Sequence, residues 1–125
     1  MKLGDSFVPN GGVNDHLFVV ISDPTKTPDQ VLLVSVTTYR DYKEDTCLLN
    51  ANEHPWIHHL SCIAYDRARF RSNAELDQVR DAGLLRMYPP FSDLLLRRIW
   101  AGAAESTKLE DQYADLLIEQ GFLDI

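Results

Sequence analysis

The spacing of apolar positions changes character near residue 71. Before it, apolar residues come in short runs: Ser6-Phe7-Val8, Leu17-Phe18-Val19-Val20-Ile21, Val31 to Thr38, Thr46-Cys47-Leu48-Leu49 and Leu60-Ser61-Cys62-Ile63-Ala64-Tyr65. β-branched and aromatic residues dominate these runs, and turn clusters such as Pro9-Asn10-Gly11-Gly12 and Asp23-Pro24 to Asp29 separate them, which predicts about five strands. No helical crossover lies between the runs, so the sheet is expected to be mainly antiparallel. The run from Val31 ends in Thr37 and Thr38, whose hydroxyls should point to opposite faces.

After residue 71 the period becomes helical. Ser72-Asn73-Ala74-Glu75 has the form of a capping box and predicts a helix ending near Met87-Tyr88, before Pro89-Pro90. Ser92 is a candidate N-cap for a second helix bearing Leu95, Ile99 and Trp100 on one side. Thr107-Lys108-Leu109-Glu110 repeats the capping-box form before Leu109, Tyr113, Leu116 and Leu117, and Gly121 supplies a C-terminal stop. The expected architecture is α+β: a small, curved antiparallel β barrel over residues 1–70, followed by about three helices over 72–122, in one domain covering 1–125.

Composition narrows the class. The 125 residues, 45% hydrophobic and 25% charged, suit one globular core and exclude a disordered tail or a coiled coil. The longest apolar runs fall well short of the ~20 residues a bilayer span needs, and Met1-Lys2-Leu3-Gly4-Asp5 has no signal-peptide core, so a cytoplasmic location without membrane partners is expected. Cys47 and Cys62 form no C-x-x-C pair and read as reduced thiols packed as small hydrophobes. A formal net charge of −7 counts against indiscriminate binding to nucleic acid. The seven arginines from Arg67 to Arg98 nevertheless concentrate positive charge in the middle of the chain.

Candidate chemistry gathers in His54-Pro55-Trp56-Ile57-His58-His59-Leu60-Ser61, which holds three of the four histidines. Imidazoles give and take protons near neutral pH, so His54 and His59 are candidates for a general acid and base. If a strand has already begun, neighbouring His58 and His59 face opposite sides, and only one looks into a given pocket. Trp56 is either a stacking platform or a buried plug. Tyr65, at the exit of the same strand, can orient a histidine or donate a proton. A metal site on His54, His58 and His59 is a further reading, although Pro55 argues against the helix that His-x-x-x-His needs. No Walker A loop, G-x-G-x-x-G, G-x-S-x-G or H-E-x-x-H is present, leaving the common nucleotide-hydrolysis, dinucleotide and serine-hydrolase routes unsupported.

Gly4-Asp5-Ser6-Phe7, the segment from His16 to Ser22, Val34-Ser35-Val36-Thr37-Thr38 and the segment from Pro90 to Leu96 appear in an order that resembles the MazF/PemK/Kid-like toxin-antitoxin family over residues 1–104. The resemblance implies an SH3-like barrel that dimerises, cleaves single-stranded RNA without metal or other cofactor, and is blocked by a cognate antitoxin protein. It places Thr37 and Thr38 beside the RNA groove and Leu60 to Tyr65 on the strand that carries important residues. Here the chain departs from the family. Ile63 stands where a catalytic arginine is expected, Tyr65 where an acid is expected, and His16 where the family often has arginine.

The expected site therefore comprises His54, His59, Thr38 and Tyr65 as catalytic groups, with His16, Thr37, Arg40, His58, Ser61 and Arg69 contacting substrate and no metal ligand among them. The leading reading is a toxin-like endoribonuclease (a hydrolase-class RNA-binding protein). The alternatives are a non-catalytic protein-interaction module on the same barrel and a metal-dependent phosphoesterase built on the histidines.

Overall fold

The computed structural model describes residues 1–11 and 15–124, so Gly12 of the first predicted turn lies outside the described residues. Six strands form one sheet: β1 (Ser6–Pro9), β2 (Leu17–Val20), β3 (Val31–Thr38), β4 (Leu48–Leu49), β5 (Ser61–Arg71) and β6 (Leu85–Tyr88). Three helices accompany them: α1 (Asn73–Asp81), α2 (Asp93–Glu105) and α3 (Asp111–Glu119). The strand order is β4-β5-β3-β2-β1-β6 with every pairing antiparallel, and the sheet curls into a half-barrel. The fold is thus α+β, as the order of patterns implies. No helix among the described residues is long and apolar enough to cross a membrane.

Both faces of the sheet carry apolar side chains. Val8, Leu17, Val34 and Ile63 pack with Ile99 and Leu117 in the main core, while Phe7, Val20, Val31 and Leu33 meet Leu76 of α1 in a smaller one. β3 contributes to both, which is why its apolar run is continuous rather than alternating. Beyond Leu33 the second face of β3 changes to Ser35, which is buried, and Thr37, which is half-buried.

Two helical expectations are corrected. The helix opened by Ser72, whose Oγ accepts from Glu75 N at 3.1 Å, ends at Asp81 and does not reach Met87. Gly83 takes φ +77°, and Leu84 N donates to Val79 O at 3.0 Å, closing the helix with a glycine in the left-handed region. The chain after it pairs with β1 as β6, with Ser6 opposite Tyr88. Likewise Thr107 caps nothing. Ser106 Oγ accepts from Lys108 N and Leu109 N at 3.1 Å, and α3 starts after Glu110, which makes no side-chain cap bond. Gly121 does end α3, at φ +84° with Phe122 N bonded to Leu117 O.

Candidate functional site

The histidine segment is a compact loop, held by its own backbone and by α2. Asn52 N donates to Ile57 O at 2.8 Å and Ile57 N to His54 O at 2.9 Å, with Asn52 at φ +69°. Arg98 of α2 binds both carboxylate oxygens of Glu53 and donates to Leu48 O at 2.5 Å. This bidentate pair latches the loop to the helix and holds the Glu53 carboxyl below its usual range.

His54 lies beneath this loop, only 2% exposed. Nδ1 accepts from Trp56 N at 3.1 Å, and Nε2–H donates to Pro89 O at 2.7 Å, a carbonyl that also accepts from Ser6 Oγ at 2.8 Å. The ring packs on Phe91 at 4.6 Å between centroids. Burial lowers its pKa against a smaller opposing effect of the Pro89 bond. Both ring nitrogens are occupied inside the protein, so His54 has no nitrogen for a substrate or a metal, and the catalytic expectation for it is replaced by a structural role.

Tyr65 is corrected in the same way. It is 1% exposed, its hydroxyl donates to Ile99 O at 2.6 Å, and burial raises its pKa far above the ordinary value. It braces β5 against α2 and has no route to a ligand. The close approach depends on Gly102, where an added Cβ would lie 2.4 Å from the Tyr65 hydroxyl.

The other two histidines are exposed and line one open cleft of about 320 Å³ with Asp15, Trp56, Ser61 and Tyr88. This departs from the expectation that they face opposite sides. β5 begins at Ser61, so His58 and His59 precede the strand and escape its alternation. His59 Nε2 lies 2.7 Å from Thr38 Oγ1 at the end of β3, and Ser61 Oγ donates to His59 O at 2.9 Å. Arg86 of β6 stands at the rim, 3.9 Å from Asp15 and with its guanidinium 5.7 Å from the Tyr88 ring centre. The cleft thus combines two imidazoles, two aromatic rings, the Ser61 hydroxyl and the Asp15 carboxylate, with Thr38 bonded to His59 and Arg86 paired to Asp15 beside it.

The remaining expected residues lie elsewhere. Thr37 points to the opposite face of β3, where its Oγ1 accepts from Lys43 Nζ at 3.0 Å, and His16 lines a second cleft on that face. Arg40 is exposed and folds back on Tyr39 O. Arg69 lies 5.2 Å from the Phe18 ring centre, at the groove beside α1. Sequence reasoning missed Arg86 and Tyr88 because they were assigned to a helix; the breaker Ala82-Gly83 before them was the available signal. It also missed Lys43, a lone lysine in a turn. Cys47 and Cys62 are free and buried, as expected. No protein-family model matches the chain, and a search of curated proteins finds none similar to it.

Proposed function

We propose that this chain is a toxin-like endoribonuclease that cleaves single-stranded RNA without a metal, and that a cognate antitoxin protein covers its cleft. The observation that carries the reading is the pair of exposed imidazoles, His58 and His59, in one cleft, with His59 hydrogen-bonded to Thr38. One imidazole takes the proton of a ribose 2′-hydroxyl as its oxygen attacks the adjacent phosphorus. The other gives a proton to the departing 5′-oxygen, leaving a 2′,3′-cyclic phosphate and a 5′-hydroxyl end. Arg86 supplies the cation that balances charge developing on the phosphate oxygens, in place of the arginine absent at Ile63. Trp56 and Tyr88 offer faces on which the flanking bases stack.

The test is incubation of the purified protein with unstructured RNAs of varied sequence in excess EDTA. Cleavage with cyclic-phosphate ends is expected, and His58→Ala or His59→Ala should each reduce kcat/KM at least tenfold, about 1.4 kcal/mol of barrier. Absence of cleavage across the set refutes the proposal.

A protein-interaction module is the second reading. It is favoured by β6, an outer strand of the sheet in which Met87 is 40% exposed and before which Leu84 is 55% exposed. Growth arrest on induced expression in bacteria, relieved by His59→Ala, separates the enzyme from the module. The phosphoesterase reading is dropped, because it required His54 as a ligand and both its ring nitrogens are bonded within the core.

A further inference from the structure

A cleft of about 430 Å³ lies on the other face of the sheet, within the range of roughly 300–1,000 Å³ typical of ligand sites. Its floor is small and buried: Ser35 is 3% and Cys62 1% exposed. Its walls carry Tyr42, Lys43, Arg67 and Lys108. Tyr42 is 80% exposed, a large aromatic ring held in water at the mouth of a depression.

Three features build the cationic side. Lys43 Nζ donates to Thr37 Oγ1 at 3.0 Å and to Thr38 O at 2.7 Å, which fixes the ammonium over the floor and leaves its third proton free. Arg67 sits in a bulge: between the pairs Leu33–Arg69 and Ser35–Ala64, β3 advances two residues while β5 advances five. Such bulges re-aim side chains, and here the extra residues bring Asp66 and Arg67 to the cleft. The backbone at Lys108 is set by its neighbours, since Ser106 Oγ accepts from Lys108 N at 3.1 Å and donates to Glu44 at 2.8 Å.

Glu44 and Asp66 are the carboxylates of the lining. Glu44 is engaged by Ser106 Oγ and Thr107 N. Among the described residues, neither Arg67 nor Lys108 has a carboxylate within ion-pair distance. A chain of net charge −7 therefore presents a cleft in which cations exceed carboxylates.

We infer that this second cleft binds a phosphorylated nucleoside, with the base on Tyr42 and the phosphate between Lys43, Arg67 and Lys108. The same chemistry comes from two sources, a free nucleotide or one unit of an RNA strand. The two clefts come together at the end of the sheet, where Asp15 and His16, and again Ser61 and Cys62, are sequence neighbours lining different clefts.

The experiment is calorimetric titration of the full chain with each 5′-ribonucleoside monophosphate, with inorganic phosphate, and with a 2′-O-methyl RNA hexamer that cannot be cleaved. Wild type, Tyr42→Ala, Tyr42→Phe and the double variant Arg67→Ala/Lys108→Ala are compared, their folding checked by circular dichroism. Tyr42→Ala should weaken binding about tenfold and Tyr42→Phe should not, as base stacking requires. The double variant should weaken it at least as much and flatten the salt dependence. Binding of monophosphates with this pattern assigns the free nucleotide; binding of the hexamer alone with this pattern assigns the strand. No binding of either, or binding that Tyr42→Ala and the double variant leave unchanged, overturns the inference. Because the hexamer cannot be cut, these outcomes are independent of whether the chain cleaves RNA.

Discussion

The imidazole of His54 and the carbonyl of Pro89 meet at 2.7 Å inside the protein, joining the histidine loop to the segment between β6 and α2. The bond that Nδ1 accepts from the Trp56 amide requires a neutral ring with its proton on Nε2. Burial holds the pKa below its ordinary 6.5, against the smaller opposing effect of the Pro89 bond, and the unfolded chain takes up this proton at higher pH than the folded one. The stabilisation is complete above pH 6.5 and declines as the pH falls from there to the folded value. Glu53, held below 4.5 chiefly by its hydrogen bond to Arg98, has the same sign: its contribution is complete above pH 4.5 and is lost as the pH falls through its folded value. Urea unfolding across this range should show stability falling on acidification in two steps. His54→Ala should abolish the upper step and cost about 1–3 kcal/mol at neutral pH through the unsatisfied Trp56 amide.

Gly102→Ala normally favours a helix by roughly 0.5–1 kcal/mol. In α2 the sign reverses. The new methyl would lie 2.4 Å from the Tyr65 hydroxyl, 2.7 Å from Cys47 Cβ and 2.9 Å from Thr46 O. Overpacking of this kind costs about 1–3 kcal/mol. A denaturant midpoint shifted downward with unchanged slope is the expected result.

Cys47 is 4% exposed, and burial pushes its thiol up to about 11. It should resist an aromatic disulfide reagent at pH 8 in the native state. Both thiols should react once the chain is unfolded in guanidinium. Their side chains belong to different faces, Cys47 in the main core and Cys62 on the floor of the second cleft, so oxidation should form no internal disulfide.

Arg86 is paired with Asp15 at 3.9 Å, and both side chains are more than half exposed. Such a pair contributes little to folding. Arg86→Ala should therefore change unfolding free energy by less than about 0.5 kcal/mol. In the proposed reaction the same change should lower RNA cleavage about tenfold, and loss of stability without loss of cleavage would assign the residue to the scaffold.

The elements legible in the sequence are those whose pattern is local. β3 and β5 show as β-branched runs, and Ser72 and Ser92 mark helix starts through bonds reaching three residues along the chain. β6 was hidden because Leu84, Leu85 and Tyr88 fit a helical spacing as well as a strand, and what decides between them is pairing with β1 some eighty residues away. The site was legible as a histidine cluster but not as an arrangement. His54 and Tyr65 carry the side chains of catalysis, yet the contacts that consume them come from Pro89 and Ile99, which no spacing within the cluster reveals.

The pairing of the first strand with the last also orders events during synthesis. β1 bonds β2 on one side, but its other edge pairs with Leu85 to Tyr88, made some eighty residues later, and Gly4 O accepts from the amide of Phe91. Until those residues are made, β1 carries an open edge, so holding chaperones should engage the nascent chain over that interval and release it once Phe91 emerges.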